Sequence, residues 1–320
     1  MPHCLIFIAL MVAWLAVCTS SVCAEGEWPA LNSEGYLDEG EFVYENPEAG
    51  VWRYCSQTLK VEVLRRTESE PLKEIWYEAE VWSRSETWGT VTAVQGEHFR
   101  KVDWPCKVCS KRGAVLAINA DYANGRWGNK RYPKERYKIG VLLRDGEICN
   151  SESFHAGSTH FPNMDTLALY DDGGMEVYYN QELTAEQYVA MGARDVFAFG
   201  PWLIRDGKLN DALEKIGTSR APRTAIGMVE KGHYFAMMLE GRHRDSKGGS
   251  VAFLAEKLLA RGCTVGFNLD GGETACILFM GKQINKVGSA HSVRGHARKS
   301  SEFLAIGTSA LVEGYDPDAP

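Results

Sequence analysis

At 320 residues, a formal net charge of −7 and 45% hydrophobic residues, the chain suits one large or two small globular domains. That acidity excludes a general nucleic-acid or anionic-membrane surface. Beyond residue 24 no apolar run is long enough to make a transmembrane helix.

Residues 1–24 carry no Lys, Arg, Asp or Glu, and Leu5 to Val17 is an almost unbroken apolar run, short for a bilayer span and suited to a signal-peptide core. Val22-Cys23-Ala24 before Glu25 reads as a small-residue cleavage site, so the expectation is a secreted or extracytoplasmic chain without stable membrane insertion once the leader is removed. Only His3 and the terminal amine stand in for a positive n-region, which keeps an uncleaved N-terminal anchor as the alternative. Cys4, Cys18 and Cys23 belong to the leader, leaving Cys55, Cys106, Cys109, Cys149, Cys263 and Cys276. In an exported protein these allow three disulfide bonds, whose connectivity the sequence leaves open, and a bridge between Cys263 and Cys276, which flank the acidic turn, would rigidify it. Cys106-Lys107-Val108-Cys109 lacks a second ligand pair for zinc and reads as structural thiols or a bridge.

Residues 25–58 read as an irregular N-terminal arm, because Gly26 to Gly50 is acidic and broken by Pro29, Gly35, Gly40 and Pro47. Leu59 to Arg65 and Glu74 to Trp82 alternate polar and apolar residues, the period of half-buried strands. Ala114 to Asn119 is a continuous apolar run that fits a strand covered on both faces, ending at a polar tip with Asp121. Asp121 there fits a ligand-facing acid or a cap. The segment 124–136, with Arg126, Trp127, Lys130, Arg131 and Tyr132, suits either a loop over a polar ligand or a solvated charge run. His155 and His160 have no carboxylate between them, and no metal is assigned.

Gly140 to Leu143 is a strand leading into a turn, Leu167 to Tyr179 a hairpin about Asp171-Asp172-Gly173-Gly174, and Thr184-Ala185-Glu186-Gln187 a capping box that opens a helix stopped by Gly192. Val196 to Ile204 is a strand broken at Gly200-Pro201, which marks an edge, a bulge or a deliberate bend. Pro222-Arg223-Thr224 opens the next strand, Tyr234 to Leu239 follows, and Ser250 caps a helix with the apolar stripe Val251, Leu254, Ala255, Leu258 and Leu259. That helix feeds Thr264 to Leu269, a short strand running into Asp270-Gly271-Gly272-Glu273. Two adjacent glycines let a ligand approach the main chain and present Asp270 and Glu273 at the strand end, the alternative being an ordinary turn. Ala275 to Val287 then reads as a hairpin about Gly281-Lys282. Many strands with two clear helices indicate an α+β domain with a mixed or antiparallel sheet.

The ordered set AVLAIN, FGPWLIRDGK, APRTAIG, LEGR, a Gly-Ser-led helix and FNLDGGET resembles the phosphodiester glycosidase family over about Leu59 to Val312. The resemblance implies a single α+β domain over 59–313 with a tail at 314–320, acting without a cofactor. It further implies hydrolysis of the glycosyl C1–O bond of a sugar-1-phosphodiester, with that carbohydrate as partner. The matching positions are Asn119, Gly200, Pro201, Arg223, Thr224, Gly227, Arg242, Asp270, Gly271 and Gly272, and Thr274 stands beside them in the turn. The family's usual Asn-Gly-Gly-aromatic-Phe and Asp-Gly-Gly-Gly-Ser stand here as Asn119-Ala120-Asp121-Tyr122-Ala123 and Asp270-Gly271-Gly272-Glu273-Thr274. Both departures add a carboxylate.

The residue types fit that chemistry. C1–O cleavage develops positive charge on the sugar, which Asp270 is suited to stabilise or attack, while Glu273 or Asp121 activates water. A phosphomonoester leaves readily as an anion, and the planar fork of Arg223 or Arg242 suits its oxygens, with the Thr224 hydroxyl as a further donor. Competing readings are a non-catalytic carbohydrate-binding protein and a metal-dependent phosphodiesterase built on Asp121, Asp270 and Glu273.

Overall fold

The computed structural model describes residues 27–70, 72–84, 88–92, 102–122, 139–151, 164–288 and 293–317. The leader 1–24, the segment 124–136 with Arg126, Trp127, Lys130, Arg131 and Tyr132, and the pair His155 and His160 lie outside the described residues. Among the described residues no helix is long and apolar enough to cross a membrane.

The largest sheet has nine strands in the order Phe42–Asn46, Val51–Cys55, Leu59–Glu68, Glu74–Ser83, His233–Leu239, Arg223–Glu230, Val265–Leu269, Trp202–Arg205 and Lys208–Leu209. The expected alternation holds: Leu59, Val61 and Val63 are buried, whereas Lys60, Glu62 and Leu64 are half-buried on the other face. Two five-stranded sheets pack against its inner side. One runs Met175–Tyr178, Asp165–Tyr170, Ala193–Phe199, Leu142–Arg144, Glu147–Asn150; the other runs Lys282–Gln283, Ile277–Phe279, Ala114–Asn119, Glu302–Thr308, Trp88–Thr92. The main core lies between them, with Val61, Val81 and Phe267 meeting Leu116, Ile118, Leu167 and Phe197. Each large aliphatic or aromatic side chain buried there contributes about 1.5–3 kcal/mol.

Helix Val251–Ala260 covers the outer face of the large sheet, its stripe of Val251, Leu254, Ala255 and Leu258 packing on Trp76, Met237 and Leu239. Ser250 caps it by accepting from the Phe253 N–H at 3.2 Å. The capping box at Thr184 is formed in full ahead of helix Ala185–Ala190. A third helix, Pro105–Lys111, packs outside the Ala114–Asn119 strand with Cys106 and Cys109 on it. The fold is α+β, mostly antiparallel sheet with few helices, as expected.

Three details differ from the sequence reading. Residues 42–46 and 51–55, assigned to the irregular arm, are strands of the large sheet, since Trp52 and Tyr54 bury themselves to 2% exposure and Gly50 at φ +73° makes the turn between them. The second hairpin turns at Met280-Gly281, with both residues at positive φ, one position before the expected Gly281-Lys282. Gly200-Pro201 is the bend among the expected alternatives: there the chain leaves the Ala193–Phe199 strand of one sheet and enters the Trp202–Arg205 strand of another. The cysteines Cys55, Cys106, Cys109, Cys149, Cys263 and Cys276 are free thiols, and Cys263 packs under the Val251–Ala260 helix while Cys276 packs beside Cys109, so no Cys263–Cys276 bridge forms.

Arg144 fastens the two smaller sheets together. Its Nε and Nη2 donate to Glu302 Oε2 at 3.1 and 2.8 Å, Nη2 reaches Asp121 Oδ2 at 3.3 Å, and Nη1 donates to the Leu143 and Val196 carbonyls at 2.6 Å each. Removing one partner of such a buried network leaves uncompensated charge. Arg144→Met is expected to lower stability in urea unfolding by about 3–5 kcal/mol. Arg205→Ala, which breaks a half-exposed pair with Glu182, is expected to cost less than about 1 kcal/mol.

Candidate active site

The site forms where neighbouring strands of the large sheet end together. Thr224 pairs with Leu269, and Arg223 pairs with Leu239. The same sheet end therefore carries Arg223, Asp270 just beyond Leu269, and Glu240-Gly241-Arg242 just beyond Leu239. The chain then passes from the large sheet through a 3-10 turn, Gly272–Thr274, into the Ile277–Phe279 strand of a smaller one. Only glycine fits this passage. A Cβ on Gly271 would stand 2.7 Å from the Pro222 carbonyl, and Gly272 takes φ +65° with its N–H donating to that same carbonyl at 3.0 Å.

Asp270 is 5% exposed. Its Oδ1 accepts the Gly271 N–H at 2.8 Å, and Arg298 Nη2 lies 3.4 Å from Oδ2. Arg298 also donates from Nε to Thr274 Oγ1 at 2.6 Å and from its backbone N–H to the Glu273 carbonyl at 2.9 Å. Burial pushes the Asp270 carboxyl from 3.8 up to about 6, the Asp121 charge adds to the rise, and Arg298, the Thr274 hydroxyl and the Gly271 N–H pull the other way. Tyr122, its ring 5.6 Å from that of Phe199, is near enough for Asp270 to help burial raise its phenol.

Arg223 has Arg242 and Asp270 as charged neighbours. Burial and then the Arg242 charge press its guanidinium below the ordinary value, and Asp270 opposes them. Its Nη2 donates to the Ser219 carbonyl at 2.8 Å, so its stem is held while no carboxylate lies within ion-pair range of Arg223 or Arg242 among the described residues. Arg242 takes φ +61° and lays its guanidinium over Gly272, with Nη1 3.1 Å from where a Cβ would be. The residues on either side hold that backbone: His243 Nε2 lies 3.1 Å from Glu240 Oε2, and Glu240 Oε1 accepts from the Lys286 N–H at 2.6 Å and from Tyr77 Oη at 3.2 Å.

Asp270, Arg223, Arg242, Gly271, Gly272, Glu273 and Thr274 therefore lie together. Glu273 is half-buried on the 3-10 turn, and its carboxylate makes no hydrogen bond among the described residues. Other expected contacts serve the framework. Asp121, with 0% exposure, faces Arg144 and the Ala198 N–H rather than solvent, which suits it to shaping the field at Asp270 and not to activating water. Thr224 donates its hydroxyl to Asn119 Oδ1 at 2.7 Å instead of offering it to a phosphate. Asn119 is wholly buried and donates to the Asp270 carbonyl at 2.6 Å. Gly200 is buried against Asp165, where a Cβ would meet Asp165 Cβ at 2.8 Å. Arg298 escapes the motif reading; its sequence signal is the basic run Arg294, His296, Arg298, Lys299 in an otherwise acidic chain.

The raised Asp270 carboxyl has a consequence for folding. The folded state holds this proton up to about pH 6 and the unfolded chain only to about 3.8. The contribution thus favours the fold below about pH 4 and is lost as pH rises through about 6. Asp270→Asn should gain stability over the parent between pH 4 and pH 7, by at most about 3 kcal/mol. Urea midpoints at both pH values check this, and equal shifts at both would contradict it.

Comparison with known proteins bears on this geometry. The SPβ prophage-derived uncharacterized protein YomE of Bacillus subtilis (strain 168) is 32% identical over 183 residues, which cover 56% of this chain and 26% of that protein, so the chain spans about a quarter of that relative. The catalytic domain of zebrafish N-acetylglucosamine-1-phosphodiester alpha-N-acetylglucosaminidase, auto-inhibited by its pro-peptide, superposes with a TM-score of 0.60 at 17% identity, covering 79% of this chain and 85% of that one. A hypothetical protein from Synechocystis gives 0.52 at 11% identity, covering 78% and 62%. Residues 112–306, which hold Asn119, Arg223, Arg242, Asp270 and Arg298, match the phosphodiester glycosidase model, and the chain belongs to that family.

Proposed function

We propose that the chain is an exported glycosidase that hydrolyses the glycosyl C1–O bond of a sugar-1-phosphodiester, releasing the sugar and a phosphomonoester. The observation that carries this reading is the buried carboxylate of Asp270 lying among Arg223, Arg242 and Arg298. Scattered residues would leave only a binding protein. The name of the zebrafish enzyme supports the substrate class, since it specifies a sugar-1-phosphodiester.

As C1–O breaks, the electron pair leaves with the phosphate oxygen and positive charge grows on the sugar ring. Asp270, ionised above about pH 6, stabilises that charge or attacks C1. Arg223 and Arg242 bind the phosphate oxygens, so departure needs no proton donor. Arg298 holds the Asp270 carboxylate and Thr274 in register. Glu273 takes the proton of the water that adds at C1. The metal-dependent phosphodiesterase reading is less favoured because Asp121 faces Arg144, away from an open shared face with Asp270 and Glu273.

Turnover of a sugar-1-phosphodiester in oxygen-18 water should label the sugar; label in the phosphate would mean P–O cleavage and reject the proposal. Because Asp270 acts ionised, kcat/KM should rise through about pH 6, and Asp270→Asn should lower it on the order of a thousandfold.

Arg223→Lys keeps the charge and loses the fork. It is expected to lower kcat/KM on phosphodiesters at least about tenfold more than on aryl glycosides of the same sugar. Equal losses on both would remove Arg223 from the phosphate site.

A further inference from the structure

Resting on the reading above, we propose that the substrate is a glycan in which phosphodiesters repeat along the chain, and that a row of cations beside the site holds the phosphates next to the one being cleaved. Although the whole chain carries −7, the segments around Asp270 expose Lys73, Arg242, Lys247 and Lys286, none with a carboxylate in ion-pair range among the described residues. The nearby acids are mostly taken: Glu74 by Arg220, Asp245 by Arg244, Glu240 opposite His243 and Asp270 by Arg298. Glu70 and Glu273 are the carboxylates of these segments without an ion-pair partner among the described residues. With Arg223 included, cations outnumber them.

These segments close on one another. The Lys247 N–H donates to the Lys73 carbonyl at 3.0 Å, the Glu240 N–H to the Ile75 carbonyl at 2.9 Å, and the Lys286 N–H to Glu240 Oε1 at 2.6 Å. The row is long compared with one phosphate. Glu74–Ser83, which Lys73 precedes, lies three strand positions from Val265–Leu269, about 14 Å at about 4.8 Å per strand. The strands between carry Arg223 and lead to Arg242, so the cations step outward from Asp270 in the order Arg223, Arg242, Lys73, with Lys247 bonded to the Lys73 backbone at the far end. A small diester leaves these charges uncompensated and mutually repelling, and a chain of phosphates neutralises them.

The test compares a synthetic three-repeat glycosyl-phosphate oligomer with its single-repeat diester. The parent protein should show kcat/KM at least about tenfold higher on the oligomer at about 0.05 M salt, with most of that advantage gone at about 0.5 M because the charges are then screened. A Lys73→Glu, Lys247→Glu double variant should lose the advantage and keep the single-repeat rate within about twofold, since both side chains are exposed and distant from the bond cleaved. Equal use of the two substrates by the parent, or an undiminished advantage in the variant, overturns the proposal. If neither substrate is cleaved, the proposed activity fails, and calorimetric binding of the intact oligomer decides the row separately. Binding lost in the double variant supports it, and no binding by the parent overturns it. A single-stranded oligodeoxynucleotide of equal charge that binds the parent as tightly as the oligomer would also overturn it.

Discussion

The side chain of Asn119 joins the two sheets whose meeting makes the site. From the end of the Ala114–Asn119 strand its Nδ2 donates to the Asp270 carbonyl at 2.6 Å, and its Oδ1 accepts from Thr224 Oγ1 at 2.7 Å and from the Cys276 N–H at 2.9 Å. Thr224 belongs to the large sheet, Cys276 leads into the smaller one, and Asp270 lies on the passage between them. The task requires a donor and an acceptor on one short, uncharged group. Leucine would orphan three buried polar atoms, and aspartate would set a charge against a carbonyl. Once Asn119 is in place, the direction in which Asp270 leaves the sheet follows from the pairing of Thr224 with Leu269.

Asp121 and Asp270 are both buried, yet their surroundings separate their roles. Asp121 faces a guanidinium that also serves Glu302, so its charge is spent on joining sheets. Asp270 has only the edge of Arg298 at 3.4 Å and two short-range donors, and burial outweighs them. The carboxyl that burial pushes up to about 6 is the one with Arg223 and Arg242 as its neighbours. That arrangement weakens the fold at neutral pH and is what a reacting group requires.

Much of this was legible because it is local. Alternation at Leu59 to Val63, the capping box at Thr184, the stripe on Val251–Ala260 and the two-glycine turn each act within a few residues. Asp270 and Arg223 were legible for the same reason, as polar residues at the mouths of apolar strands. What escaped depends on partners far apart in sequence. Asp121 reads as a free acid until Arg144 is brought to it across two sheets, and Thr224 reads as a phosphate donor until Asn119 accepts its hydroxyl. Arg298 follows Asp270 by 28 positions on an irregular segment with no periodicity to announce it. The strands at 42–55 were hidden by the turn residues around them, although Trp52 and Tyr54 carried the alternation.

Arg242 stands on a segment unlike the one that carries Asp270. The carboxylate is fixed by strand register and by Asn119, deep in the framework, whereas Arg242 rides on a left-handed kink braced by Glu240 and His243 at the periphery. Asp270 and Arg242 are thus held by separate pieces of chain. On the proposed function, insertions or exchanges between Glu240 and Gly249 would change the part of the phosphate grip that Arg242 supplies while leaving Asp270, fixed by strand register and Asn119, where it is.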